Sequence, residues 1–552
     1  MCATSNPDNG TGVPTFRISA KQLEKLPPCQ AGCPNTGDIR GWIGVIAQHE
    51  KNGLTLEAAY DKAWLRLAER NPFPATIGRI CPHPCEASCT RVDKDGAVSI
   101  NAIERFLGDW AIERSLGLPV EERAWPESIG VVGSGPASLS FAYQMARRGY
   151  TVNVYEQHDI PGGMLRTAIP DYRLPRDVVD AEIDRLFDLD IKLTTGVDVG
   201  GTIPLDELRD RHTLVFLGLG AQLPRRLGIQ GEDGPGVVTG IDYLRQRKTE
   251  PVSLKGRQVL VIGGGNTAID AARSVRRDGA DVTVVYRRSE SEMPAAKEEI
   301  EAAKGEGVAF RFLLAPRRVV RKDQVIQYLE VQPMKLGEAD EQGRRKPEPS
   351  SGSFQDLPAD MIIVAVAQMP DWHGIREVIG SDGELHADVE GRLDRGLWAG
   401  GDDRGAGLAS AAIAQGRFAA EAAHAELRDL PRPAAETVRQ PVDRESIRID
   451  YYANQERASA ARHPADYWVT EPEGEIEQTM SGDQVFEEAR RCLSCGLCFD
   501  CQQCFMYCNG AGFTRVEETS PGNYFVLALE ACEGCGKCIE ICPCGYLEAR
   551  DE

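Results

Sequence analysis

The rhythm of apolar positions changes twice along this chain. Over the first 120 residues it is helical: Ile39, Trp42, Ile43 and Ile46 fall at i, i+3, i+4 and i+7, and "LTLEAAYDKAWLRLAER" repeats the stripe. From Ile129 the texture becomes short apolar runs, glycine turns and amphipathic stretches. "IGVVGSGPASLSFAYQMARRGYTVNVYE" and "RQVLVIGGGNTAIDAARSVRRDGADVTVVYRR" each read as a strand–turn–helix–strand unit. Two such units predict two doubly wound parallel-sheet domains. Residues from about 431 to 485 are rich in Pro, Arg and Glu and poor in periodicity, and read as a connector wrapping the surface. No apolar run approaches the ~20 residues that cross a bilayer.

At 552 residues the chain can hold several full cores. The formal net charge of −21 argues against nucleic acid and anionic membranes as partners. "MCATSNPDNGTG" has no charged or apolar leader, which points to the cytoplasm, where thiols stay reduced. That bears on the 17 cysteines. Apart from Cys2 they lie at 29–33, 81–89 and 492–544, with none between Cys89 and Cys492. Such clusters read as metal or cluster ligands.

The first glycine turn, Gly133-Ser134-Gly135-Pro136-Ala137-Ser138, has a serine where the dinucleotide fingerprint has its third glycine. Glu156 closes the next strand, placed to bind ribose hydroxyls. The second turn, Gly263-Gly264-Gly265-Asn266-Thr267-Ala268, is followed by a strand ending in Tyr286-Arg287-Arg288 instead of an acid. Arginines there can pair with a 2′-phosphate, favouring NADPH, or stack on adenine, leaving NADH open. A third stretch, "LWAGGDDRGAGLASAAIAQGRFAAEAA", sets Asp402 after Gly400 and Gly401, where it can hydrogen-bond a flavin ribityl chain. Two nucleotide sites suggest FAD beside NAD(P)H, with the NAD(P) unit inserted into the FAD unit.

"RRCLSCGLCFDCQQCFMYCNG" holds six cysteines in seventeen positions. Cys498, Cys501, Cys504 and Cys508 have ferredoxin half-motif spacing, as do Cys532, Cys535, Cys538 and Cys542. The last cysteine of each run reaches the other cluster, which predicts one cluster on Cys498, Cys501, Cys504 and Cys542 and a second on Cys532, Cys535, Cys538 and Cys508. Cys492, Cys495 and Cys544 exceed that need. They could pair, shift the ligand register or simply pack.

"GRICPHPCEASC", "GGMLRTAIPDYRLP", "YRRSESEMPA" and "WAGGDD", in this order with the two glycine turns, resemble the glutamate synthase small-subunit family of iron–sulfur flavoproteins over residues 25 to 430. The cysteine-rich tail is similar to that of the DsrL-type subgroup, encoded with dissimilatory sulfite reductase. The resemblance implies that Gly162, Gly163, Leu165 and the loop carrying Arg173 lie along FAD. It also implies an N-terminal [4Fe–4S] cluster on Cys33, Cys81, Cys85 and Glu104. The family's first two N-terminal cysteines are replaced here by Lys21 and Glu24. A second N-terminal cluster would keep only Cys29 and Cys89, so its loss is expected. His83 in "CPHPC" is expected to be a loop residue.

The fold expected is therefore multidomain α/β, in six segments: a helical N-terminal iron–sulfur domain (1–125), the leading FAD-binding segment (126–235), an NAD(P) domain (236–372), the returning FAD-binding segment (373–430), the connector (431–485) and a ferredoxin-like 2[4Fe–4S] domain (486–552). The function expected is an NAD(P)H:acceptor oxidoreductase with FAD and three [4Fe–4S] clusters. It would exchange electrons with a protein partner, dissimilatory sulfite reductase, with no acid–base residue assigned. A glutamate synthase small subunit, an NAD(P)H:ferredoxin-type enzyme and a non-enzymatic cluster scaffold are the alternatives. The direction of electron flow and a homodimeric state are left open.

Overall fold

The computed structural model describes residues 19–339, 343–431, 441–464 and 466–550. Cys2, the N-terminal leader stretch and residues 432–440 of the connector lie outside them.

The expected helical stripe near the N-terminus is a buried face. Ile39, Trp42, Ile43 and Ile46 of the helix Ile39–Ala47 are each at most 4% exposed. They join the helices Leu56–Ala68, Pro74–Ile80 and Ile100–Glu113 in one core. Glu182, from the neighbouring domain, accepts from Ala75 N at 2.7 Å and Thr76 N at 2.9 Å and so caps Pro74–Ile80. That tie docks the helical domain on the sheet behind it.

The first parallel sheet has the order Arg392–Asp394, Leu397–Ala399, Leu214–Leu217, Ser128–Val132, Thr151–Tyr155, Ile191–Thr194; only its first pair runs antiparallel. Its central strands are near-continuous apolar runs because helices cover both faces. The helix Pro136–Ala146 lies between this sheet and the alanine-rich helix Ala409–Leu427. Small residues let the two helices touch: a Cβ on Gly416 would stand 2.1 Å from Ala137 O.

The second sheet is wholly parallel, in the order Ala309–Phe312, Asp281–Tyr286, Gln258–Ile262, Met361–Val364, Val237–Thr239. All its strands fall between Leu217 and Leu397 of the first sheet, so one domain is inserted in the other. An antiparallel sheet of Leu314–Lys322, Val325–Ala339, Arg345–Pro349 and Gln355–Pro358 buds from the inserted domain, an addition that the doubly wound pattern does not predict.

The first and last described strands meet. Ala20–Gln22 pairs antiparallel with Leu547–Ala549, and Lys25 N donates to Gly496 O at 3.1 Å. The described residues of the connector do more than wrap the surface, since Arg457 pairs with Glu86 and Gln455 N donates to Asp95 Oδ2 at 2.9 Å. The expected boundary at 485/486 falls inside the helix Gly482–Arg490, which packs on the N-terminal domain.

Just beyond that helix Arg491, fully buried, donates to the backbone oxygens of Asp95, Gly96, Ala97 and Gln455 and to Glu488. Glu488, also fully buried, accepts from Ser99 N at 2.8 Å and Ala458 N at 2.7 Å. Replacing Arg491 by Met should lower the unfolding free energy by ~3–5 kcal/mol, because Glu488 keeps a buried charge without its partner. Guanidinium titration, with limited proteolysis of the tail, measures this. A loss as small as that of an exposed pair, ~1 kcal/mol or less, would mean the clamp does not hold the tail.

Candidate functional site

A long cavity lies against the first glycine turn. Gly133, Ser134, Gly135, Pro136 and Ala137 line it, with Glu156, Gly163, Leu165, Arg173 and Asp402. Gly133 has φ +82°, and a Cβ there would meet Gly218 O at 2.3 Å, so only glycine fits. Gly135 caps the helix Pro136–Ala146 with open space at its Cβ position, leaving backbone N–H groups clear for a pyrophosphate. The Ser138 hydroxyl, in place of the third fingerprint glycine, donates to Val132 O at 3.1 Å and so is absorbed by the strand. Glu156 is buried and accepts from Ser134 N at 2.9 Å and His158 N at 2.8 Å. These features fit a dinucleotide.

Asp402 accepts from Gly407 N at 3.1 Å, and burial raises its carboxyl above the usual range. Its neighbour Asp403 is a site residue that motif spacing does not single out. It receives Leu219 N at 2.9 Å and Gly220 N at 2.7 Å, pinning the loop that closes the cavity; burial pushes it up to about 7. The repeated acid in "GGDD" was the available signal.

The second turn meets the same cavity through Asn266 and Thr267, whereas Gly263, Gly264 and Gly265 form the turn behind them. A Cβ on Gly263 would meet Ala365 O at 2.2 Å, and one on Gly264 would meet the Tyr286 ring at 2.5 Å. The arginine pair divides. Arg287 is exposed, while Arg288 is buried and donates from Nε to Arg345 O at 2.8 Å, bound to the antiparallel sheet.

Arg173, expected along the flavin, lines the cavity but also joins the two domains. Its Nη1 donates to both carboxylate oxygens of Asp270, at 2.6 and 2.8 Å. The guanidinium of Arg277 lies 3.7 Å from the centroid of the buried Tyr172 ring. Asp270, Arg273 and Arg277 share one helix, Asn266–Arg277, and this latch is invisible in the sequence because its halves are about a hundred residues apart.

The cysteines fall into cavities of their own. Cys33, Cys81, Cys85 and Glu104 line one beneath the N-terminal helices. Asn71 Nδ2 donates to Glu104 Oε1 at 2.8 Å, and burial pushes this carboxyl up to about 7 and the Cys81 thiol up to about 11. Cys81 also lines the dinucleotide cavity, so it stands in the wall between the two, with its Sγ 3.7 Å from Ser410 Oγ. His83 is a loop residue with φ +39° at the rim of the cysteine cavity.

In the tail, Cys498, Cys501, Cys504 and Cys542 line one cavity, joined by Cys544, whose Sγ is 3.8 Å from that of Cys542. Cys508, Cys532, Cys535 and Cys538 line another. The structure thus brings together the same two interleaved quartets that the spacing predicts. Among the described residues no three His, Cys, Asp or Glu side chains converge as ligands of one ion would. Thiols placed around a four-iron cubane stand further apart than ligands of a single ion.

Two Rossmann-like units, one inserted in the other and sharing a cavity, with a cysteine site against its wall, are the architecture of a pyridine-nucleotide oxidoreductase that carries iron–sulfur centres. Residues 127–416 match the family described as pyridine nucleotide-disulphide oxidoreductase, to which the chain belongs; residues 23–116 match dihydropyrimidine dehydrogenase domain II, 4Fe-4S cluster. The chain is similar to the glutamate synthase [NADPH] small chain of Halomonas elongata, at 33% identity over 72% of this chain and 87% of that one. It is similar to the NADP(+)-dependent formate dehydrogenase subunit beta of Moorella thermoacetica, at 34% identity over 71% of this chain and 59% of that one. The Escherichia coli protein YgfK is 30% identical over 94% of this chain and 48% of its own length. The chain thus spans between about half and six-tenths of several curated relatives, with 53% of the NADPH-Fe(3+) oxidoreductase subunit beta of Geobacter sulfurreducens. No helix among the described residues is long and apolar enough to cross a membrane.

The domain latch is open to a double-mutant cycle. Arg173→Met should cost ~3–5 kcal/mol by leaving Asp270 buried without its partner. The double change Arg173→Met with Asp270→Asn should cost less than the sum of the two single changes, by ~1–3 kcal/mol. Strict additivity in chemical unfolding would show that the pair is not coupled.

Proposed function

We propose that this chain is an iron–sulfur flavoprotein that exchanges electrons between NAD(P)H and a protein partner. The observation that carries this reading is the shared cavity: both glycine turns and Cys81 of the N-terminal cysteine site open onto it. Bound there, FAD would take a hydride from the nicotinamide, and [4Fe–4S] clusters would carry single electrons onward. The chain's residues supply the arrangement. The Pro136–Ala146 helix N-terminus and Glu156 hold the dinucleotide, Asp402 faces the ribityl position, and the Arg173–Asp270 latch sets one domain against the other.

The tail supports a partner-facing role. Cys535 is exposed, and Phe505, Met506, Tyr507 and Leu529, near the same cysteine cavity, are each at least 42% exposed. Exposed large apolar side chains close in sequence to this cysteine quartet suit transient docking of a protein. We infer a dissimilatory sulfite reductase as that partner from the cysteine pattern of the tail. The glutamate synthase small-chain reading is supported by the named relatives but leaves this tail without a task.

Anaerobic titration with NADPH should bleach the flavin band and then the broad cluster absorption. Absence of both would sink the reading. In Cys535→Ala the flavin should still bleach, while electron delivery to the protein partner collapses; undiminished delivery would place the exit elsewhere.

Three relatives carry NADPH or NADP(+) in their names, which favours NADPH here. Of the two arginines, only Arg287 is exposed at the end of the second unit's strand. Arg287→Ala should raise KM for NADPH about tenfold, the loss of ~1.5 kcal/mol from one exposed charge-assisted bond, and leave NADH nearly unchanged. Arg288→Ala should instead loosen the antiparallel sheet. Equal effects of Arg287→Ala on both nucleotides would show that it does not read the phosphate.

A further inference from the structure

Among the described residues four cysteines belong to none of the three cavities, and the fold gathers them from three distant places in the chain. Cys29 follows the strand Ala20–Gln22, Cys89 ends the "CPHPCEASC" loop, and Cys492 and Cys495 follow the buried clamp residue Arg491. Cys29, Cys89 and Cys492 pack against the same N-terminal core. The Sγ of Cys495 lies 3.6 Å from the hydroxyl of Thr90, the residue after Cys89. Arg91 Nη1 donates to Arg491 O at 2.6 Å, beside Cys492. Arg40 Nη1 donates to both Lys25 O and Cys495 O at 2.7 Å, tying the approach to Cys29 to the tail. Cys492, Cys89 and Cys495 all lie near enough to Cys29 to act on it electrostatically.

The surroundings suit an anion made of thiolates. Arg40 and Arg91 are at most 4% exposed, and both lie close to Cys492, with Arg40 also close to Cys29 and Cys495. Arg40 Nε is buried and finds no acceptor among the described residues. An inorganic sulfide or a thiolate would supply one. Lys21 and Glu24 have two residues between them, as Cys492 and Cys495 do, and Lys21 lies in the strand that pairs with the tail. Glu24 spends its carboxylate on Arg40.

We propose that Cys29, Cys89, Cys492 and Cys495 hold a fourth [4Fe–4S] cluster, completed by the tail at the place where the N-terminal segment lacks two cysteines. The expected loss of a second N-terminal cluster is thereby reversed. The site also fills a gap between the N-terminal and tail sites. Cys29 and Cys33, like Cys85 and Cys89, are four residues apart and connect it to the cavity at Cys81. Cys495 and Cys498 are three apart, a Cα span of at most about 11 Å, and connect it to the first tail quartet. The inference does not rest on the proposed activity, since it is read by metal content.

Anaerobically purified full-length protein should contain about sixteen irons and sixteen sulfides per chain, four cubanes of four. Cys492→Ser and Cys495→Ser should each lower both to about twelve, with one cubane's share of the reduced-state EPR signal lost. Glu24→Gln should leave the count unchanged. About twelve irons in the wild type, with no loss in either cysteine variant, would overturn the proposal. So would one zinc per chain without the extra sulfide, or a loss of four irons in Glu24→Gln alone. Should the serine variants fail to fold, the wild-type iron, sulfide and zinc contents decide by themselves.

Discussion

The burial of Arg491 is the constraint on which the arrangement of this molecule depends. A guanidinium with no exposure must satisfy its donors inside the protein, and it does so on four backbone carbonyls and Glu488. Those carbonyls belong to the N-terminal domain and to the connector. The tail therefore cannot move as a tethered module without breaking the bonds that Arg491 and Glu488 make to those two segments. Buried pairs are weak sources of net stability but strong sources of geometric specificity when every donor is met.

On either side of that anchor lie the cysteine sites. Cys81 stands in the wall of the dinucleotide cavity, and the last tail quartet ends at the exposed Cys535. Successive sites share short peptide segments, so a few residues of rigid backbone set each separation. The shared cavity, by contrast, lies between two domains held by one carboxylate–guanidinium latch and a stacked tyrosine. Rigid spacing suits electron transfer, and a breakable latch suits nucleotide exchange.

Features coded by local spacing were legible in the sequence. Glycine turns, the acid at Glu156, the two doubly wound units and both interleaved quartets depend on neighbours within a motif, and the observed cavities collect those residues. What escaped depends on partners far away along the chain. Arg288 reads as a phosphate ligand from its position on the strand, yet an inserted sheet claims it. Arg173 reads as a flavin neighbour, and its bidentate partner lies in another domain. Cys492 and Cys495 looked surplus because the thiols beside them lie about four hundred residues earlier, as the Cys495–Thr90 contact shows.

The pairing of the first described strand with the last has a consequence for how the molecule is made. Gln22 Nε2 and Phe525 O, hydrogen-bonded to each other, are 503 residues apart. At ordinary elongation rates the ribosome needs roughly 25–100 s to join those ends. During that interval the N-terminal domain lacks a strand partner, its clamp and the thiols contributed by the tail. Metal delivered early would find half of a binding site on the nascent chain. On the proposed ligand set, a cluster at this junction can be completed only after the tail has been made.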